Sequence, residues 1–194
     1  MRLFVAVNFS DEARKKIGSL IRELRELPSD VKWVDDANLH LTIQFLGNVP
    51  EDQVPDIVNV LKHSVAGIYH FKLDLGGVGA FPSTQRPRTF WMGVSGDTAV
   101  LFRLQRQIQE GLSKIGFKPE KRRFSPHLTL GRVRSAIGFT DVLKKAETLA
   151  REKVSTEKIG SIDLMLSELS PKGPNYFILS KIQLPGLKSE VRIQ

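Results

Sequence analysis

His40-Leu41-Thr42-Ile43 and His127-Leu128-Thr129-Leu130 are the two stretches on which the reading of the fold turns. They lie 87 positions apart, and the same offset carries Phe4 onto Trp91, Val7 onto Val94, Ile17 onto Leu104 and Ile21 onto Ile108 without a gap. With four histidines and eight threonines in 194 residues, a chance His-x-Thr is expected roughly 0.16 times, so a pair arises in about one such sequence in a hundred. A fixed period with matched placement identifies an internal repeat.

Each copy reads as strand, helix, strand, helix. Leu3–Phe9 is an apolar run with β-branched members, which predicts a buried strand. Ser10 follows as an N-cap with Asp11 and Glu12 in the first turn, and Ile17, Leu20, Ile21, Leu24 and Leu27 recur at helical spacing until Pro28. A strand over Leu39–Leu46, a helix over about Glu51–Ala66 and a strand over about Phe71–Val78 complete the first half. In the second, a strand is expected at Thr89–Val94, a helix through Leu101 to Ile115, a strand at Pro126–Val133 and a helix over about Asp141–Lys153. Further strands are read near Ile159–Leu166 and Tyr176–Ile182, separated by the turn Pro171-Lys172-Gly173-Pro174, and the chain after Pro185 reads as a loosely held tail. The whole is expected to be one bilobal domain over 1–194, with repeats at about 1–80 and 88–168 and a further strand at 175–183.

Residues two apart on a strand project from one face. His40 and Thr42 therefore point one way while Leu41 and Ile43 point the other, and His127 and Thr129 do likewise, backed by Leu128 and Leu130. Two such strands related by an approximate two-fold axis would set two imidazoles and two hydroxyls around one small cleft. That suits a tetrahedral anion. Cleaving a phosphodiester needs one group to take a proton from the attacking oxygen and another to protonate the departing one, and imidazole does either near neutrality. The threonine hydroxyls would donate to the non-bridging oxygens, where charge builds up.

Other chemistry is narrowed by composition. There are no cysteines, which removes disulfides, thiolate metal sites and cysteine nucleophiles. A zinc site is disfavoured because His40 and His127 lack a third ligand; no metal and no cofactor are expected. His63 and His70 have no polar partner pattern and are given no role. No run approaches the roughly 18–20 apolar residues that cross a bilayer, and no secretory leader is read, so a cytoplasmic protein is expected. The net charge of +8 and pI near 9.8 favour a polyanionic partner, nucleic acid above all.

Trp33-Val34 followed by Asn38-Leu39-His40-Leu41-Thr42-Ile43-Gln44-Phe45-Leu46-Gly47, and later Phe124-Ser125-Pro126-His127-Leu128-Thr129-Leu130-Gly131-Arg132, resemble the two-histidine (2H) phosphoesterase superfamily. They resemble most the bacterial and archaeal RNA 2′,3′-cyclic phosphodiesterases, also named 2′–5′ RNA ligases. Phe81-Pro82 through Pro87-Arg88, then Trp91 and Gly93-Val94, fit the same family. The resemblance implies an α+β fold of two pseudo-symmetric lobes, each an antiparallel sheet with outer helices, and an active cleft between them. It implies opening of an RNA-terminal 2′,3′-cyclic phosphate to a 2′-phosphomonoester. His40 would be the proton donor and His127 the proton acceptor, with Thr42 and Thr129 holding the phosphate; pseudo-symmetry alone allows either assignment of the two histidines. The reverse reaction would join RNA ends through a 2′–5′ bond. RNA carrying a cyclic phosphate end, tRNA halves among such molecules, is the implied partner of a monomeric enzyme. Two rivals stand beside this reading: a 2H phosphodiesterase acting on a 2′–5′ oligonucleotide or cyclic nucleotide, and an RNA-binding module without chemistry, which leaves the repeated His-x-Thr unexplained.

Around the motifs, Lys121-Arg122-Arg123, Arg132, Arg134, Arg86 and Arg88 form a basic rim. Of these Arg132, Arg88 and Arg123 are the candidate RNA contacts, since lysine and arginine gain affinity by neutralising phosphates; for Lys121–Arg123 a solvated loop is an equal reading. Arg14-Lys15-Lys16 reads as an exposed helix face. Strand alternation puts Phe45 on the opposite face from His40 and so in the core, unless a bulge intervenes, while Trp33 is open between core packing and stacking on a base.

Overall fold

The computed structural model describes residues 1–120, 122–171 and 173–186. Lys121 of the basic triplet, Lys172 of the predicted turn and nearly all of the predicted tail lie outside them. In chain order the elements are β1 (Arg2–Asn8), α1 (Asp11–Arg25), β2 (Val31–Trp33), β3 (His40–Asn48), α2 (Val54–Ser64), β4 (Phe71–Pro82), β5 (Pro87–Gly96), α3 (Thr98–Ser113), β6 (His127–Val133), α4 (Phe139–Leu149), β7 (Lys153–Ile159), β8 (Ser161–Ser170) and β9 (Gly173–Gln183). One-turn 3₁₀ segments stand at Asp36–Asn38 and Glu51–Gln53.

Ser10 caps α1 as expected, its side chain accepting from the amide of Ala13 at 3.1 Å. Two predicted elements change and one strand was not predicted. The helix expected to reach Lys153 stops at Leu149, and Lys153 instead opens β7, whose Ser155 and Glu157 are buried polar residues that broke the apolar alternation. The strand read at Ile159–Leu166 divides between the last residue of β7 and the first part of β8, which runs on to Ser170. The three-residue β2 was too short to give a periodic signal.

The strands form one antiparallel sheet in the order β7-β4-β5-β6-β3-β1-β8-β9, with β2 lying on β6. Under the 87-residue offset the six inner strands read the same from either end, β5 answering to β1, β6 to β3 and β4 to β8, while the edge strands β7 and β9 do not correspond. The helices obey it too, Asp11–Arg25 falling on the span of α3 at Thr98–Ser113. The repeats exchange strands, however. β4 of the first pairs with β5 of the second along its length, and β8 of the second pairs with β1 of the first. Each lobe of the α+β fold is thus a half-sheet of mixed parentage, five-stranded with β2 on the β6 side and four-stranded on the β3 side.

The half-sheets meet at a single pairing, Leu41 with Leu128. Both leucines are fully buried in the core. Apolar faces of α1 to α4 pack into this one core on one side of the sheet. On the other side, among the described residues, a small apolar cluster of Phe4, Ala6 and Met165, flanked by Tyr176, is buried together with Asp163, and a cleft opens beside it.

Candidate active site

The Leu41–Leu128 pair fixes the site. Residues paired across an antiparallel ladder share a face, and their chain neighbours take the opposite one. Since Leu41 and Leu128 enter the core, His40, Thr42, His127 and Thr129 all emerge on the cleft face. The antiparallel register sets His40 across from Thr129 and Thr42 across from His127. All four are half-buried. The two imidazoles and two hydroxyls share that face, with His127 near enough for its charge to lower the pKa of His40.

Each imidazole is oriented in the same way. His40 Nδ1 lies 2.7 Å from the carbonyl of Asn38, and His127 Nδ1 lies 2.7 Å from the carbonyl of Ser125, the residue at the equivalent position. A carbonyl only accepts, so Nδ1 carries hydrogen in both rings and each Nε2 is left to exchange a proton. His40 Nε2 is 3.1 Å from Thr42 Oγ1. Asn38 also donates from Nδ2 to the carbonyl of Pro174 at 3.0 Å, which ties the start of β9 to the segment that orients His40.

Aromatic rings enclose the histidines. Phe4 lies 4.9 Å from His40 between ring centroids, and Tyr176 meets it edge-on at 5.0 Å. Phe81 meets His127 edge-on at 4.9 Å and packs on Trp91, the repeat partner of Phe4. Trp91 lies over Gly79, where an added Cβ would stand 2.4 Å from the indole; glycine is required for that close approach. Burial lowers the pKa of His40, the Asn38 carbonyl partly restores it, and the charge of His127 lowers it further. Burial raises the phenol of Tyr176, with Arg132 and Arg2 acting in the opposite sense.

Phe45 is not in the core. Between Ala6–Thr42 and Val5–Gln44 the β1–β3 pairing slips, so Ile43 is an extra residue and the alternation reverses beyond it. Phe45 then emerges on the cleft side, 58% exposed, with its ring 6.1 Å from Phe4. The second half carries the same bulge at Leu130, between Trp91–Thr129 and Phe90–Gly131. There the reversal brings out Arg132, which donates from Nη1 to Thr89 Oγ1 at 2.6 Å. Trp33 settles as core packing, edge-on to the buried Phe90 at 6.1 Å.

The other candidates scatter. Arg123 is exposed in the segment before β6; that segment lies beside β3, because Glu120 accepts the amide of Phe45 at 3.2 Å. Arg88 is exposed where the β4–β5 pairing slips, and no hydrogen bond or ion pair holds it among the described residues. His63 Nδ1 bonds the Asn59 carbonyl on α2, far from the cleft in the fold, and His70 packs beside Gly160. Among the described residues no group of three or more His, Cys, Asp and Glu is placed to hold a metal ion, and no helix is long and apolar enough to cross a membrane. Sequence reading missed Phe4, Tyr176, Asn8 and Asp163 as cleft residues. For Phe4 the signal was present in its match to Trp91, but the uninterrupted apolar run of β1 concealed which face each residue takes.

A sequence profile described as LigT like Phosphoesterase matches this chain twice, over residues 7–91 and 94–176. The chain belongs to the LigT-like phosphoesterase family. Its two matches begin 87 residues apart, the period of the repeat. Among curated LigT-like relatives, the RNA 2′,3′-cyclic phosphodiesterase of Archaeoglobus fulgidus is 39% identical over 177 residues, 91% of this chain and 96% of the relative. That of Thermotoga maritima is 32% identical over 186 residues, 96% and 97% of the two chains. A solved structure from Thermus thermophilus superposes with a TM-score of 0.75 at 27% identity, covering 96% of this chain and 99% of that one. Escherichia coli LigT complexed with 3′-AMP superposes with a TM-score of 0.74 at 23% identity, covering 94% and 97%, a likeness of fold.

Proposed function

We propose that this chain is an RNA 2′,3′-cyclic phosphodiesterase that opens a terminal cyclic phosphate by acid–base catalysis from His40 and His127. The observation that supports the reading is the Leu41–Leu128 pair, whose register puts two imidazoles and two hydroxyls on the same open face of the sheet. The LigT-like relatives named for this activity supply the substrate class.

In this mechanism the phosphorus sits between the two Nε2 atoms. His127 takes a proton from water as its oxygen bonds to phosphorus, the bond from phosphorus to O3′ breaks, and His40 gives its proton to O3′. The products are a 2′-phosphomonoester and a free 3′-hydroxyl. Thr42 and Thr129 donate to the non-bridging oxygens, where such donors are worth most because charge concentrates there in the transition state. No step calls for a metal. His40 must be protonated when substrate is bound; burial opposes this in the empty site, and the negative phosphate entering the same cleft favours it. Replacing water with a 5′-hydroxyl in the same step gives a joining reaction and a 2′–5′ bond. Arg132 and Arg123 would steady the RNA backbone, and Arg88, at the start of β5, would act farther out. The reading takes the chain to act as a monomer, since both histidines come from one chain, on cytoplasmic RNA ends such as those of tRNA halves.

The test is to incubate an RNA ending in a 2′,3′-cyclic phosphate with the protein in EDTA and identify the product end. A 2′-phosphate is expected. A 3′-phosphate would reverse the choice of leaving oxygen, EDTA-sensitive turnover would bring in a metal, and no turnover would leave the RNA-binding module as the better reading.

A further inference from the structure

Beside His40 the cleft holds a hydrogen-bond acceptor that the chemistry at phosphorus does not use. Asn8 stands opposite His40 in the β1–β3 ladder. Both side chains leave the sheet on the cleft face and line a hollow of about 400 Å³, together with Met165, Tyr176, Ile178 and Lys181. Asn8 Nδ2 donates to Asp163 Oδ2 at 2.7 Å and approaches the Met165 sulfur at 3.3 Å. Asp163 is 1% exposed. Burial raises the pKa of Asp163, while the Asn8 hydrogen bond and Lys181, 4.0 Å away, favour its charged form. As a carboxylate it accepts and does not donate, so turning the amide over would bring oxygen against oxygen. The buried carboxylate thereby holds the amide with its Oδ1 turned away. That oxygen accepts no hydrogen bond from the described residues and is not among the buried unpartnered atoms, so it is accessible to the hollow.

The other half of the cleft has no counterpart. Ser95 and Gly76 stand where the repeat would place Asn8 and Asp163, and Ser95 is exposed. The pair is therefore neither a residue of the duplication nor a demand of the sheet.

What can meet this acceptor follows from the substrate, and here the inference rests on the cyclic-phosphate reading above, with the terminal nucleoside on the His40 side. In a terminal nucleotide whose 2′ and 3′ oxygens are both bound to phosphorus and whose 5′ oxygen continues the chain, the ribose has no hydroxyl left. Its only hydrogen-bond donors are the N–H groups of the base. The hollow has the volume of a small-ligand site. Tyr176, Met165 and Ile178 give it one aromatic and apolar wall against which an unpaired RNA base can pack, and the rest of its lining is largely polar or charged, with Arg14, Glu157, Lys158 and Lys181. We propose that it receives the terminal base, and that Asn8, positioned by Asp163, accepts from an exocyclic amino group. Adenine and cytosine carry that group where hypoxanthine and uracil carry a keto oxygen, which would face Oδ1 acceptor to acceptor.

The experiment compares KM and kcat for the 2′,3′-cyclic phosphates of cytidine against uridine and of adenosine against inosine. The amino-bearing member of each pair is expected to have a KM about tenfold lower, the scale of one buried donor–acceptor match, with kcat nearly equal. Asn8→Ala is expected to bring the cytidine KM up to that of uridine. Asp163→Asn, which lets the amide turn, is expected to shrink the preference as well, a change that lost packing alone would not produce. Equal KM values in the wild-type protein overturn the proposal without any variant having to fold. A preference surviving Asn8→Ala also overturns it, and one surviving Asp163→Asn removes the positioning role. No turnover of any cyclic phosphate fails the parent reading instead.

Discussion

His40 sits among Phe4, Tyr176 and the Asn8–Asp163 pair, and β9 reaches across to the segment that orients it. His127 occupies the same place in the second repeat with Phe81 at its edge, and Ser95 and Gly76 where the amide and carboxylate would be. The histidines have equivalent bonds to backbone carbonyls, which fix their rings, and equivalent strand bulges. They differ in what lies behind them. The duplication gives a symmetric pair of imidazoles, and the surroundings of the two members differ.

The largest effect should be symmetric. His40→Ala and His127→Ala are each expected to lower kcat/KM for a cyclic phosphate by about 10³-fold, within the usual range for a lost acid or base, with melting temperatures near wild type. Loss in only one variant would break the comparison. Next, Thr42→Val and Thr129→Val should each lower kcat by about 10²-fold, the order seen for a single donor to a developing oxyanion. Only the Thr42 change should also move the pH profile, because Thr42 bonds His40 Nε2.

The pH response sharpens the comparison further. Burial holds the pKa of His40 below its ordinary value, and Tyr176→Ala relieves part of that burial, so the pKa rises. If His40 gives the proton, a larger protonated fraction raises kcat/KM on the alkaline side of the optimum relative to the acidic side. If it takes the proton, the acidic side falls instead. The smallest effect is expected at Arg132: Arg132→Ala should weaken RNA binding a few-fold irrespective of sequence, and reduce the slope of log affinity against log salt by about one.

How much of this was legible in the sequence follows from range. His-x-Thr is a two-residue period, and two-residue periods survive on any strand, so the four central residues could be placed on one face before any partner strand was known. The helix starting at Ser10 was equally local. Phe45 was lost because one extra residue at Ile43 reverses every assignment beyond it, and nothing in Thr42-Ile43-Gln44 marks a bulge; Gln44 is in fact buried while Phe45 is exposed. The exchange of β4 and β8 between lobes was hidden because a strand's own pattern says which face is apolar, not which neighbour it will take. Asn8 and Asp163 meet across 155 positions, and only the fold brings them together.

The claim at the centre is that a single phosphate touches both imidazoles at once. It is tested most directly by ¹⁵N NMR of the histidine side chains during titration with adenosine 2′-monophosphate, the expected product end. The Nε2 signals of His40 and His127 should move together with one shared Kd while those of His63 and His70 stay in place. Movement of only one cleft histidine, or of the two with different Kd values, would contradict it.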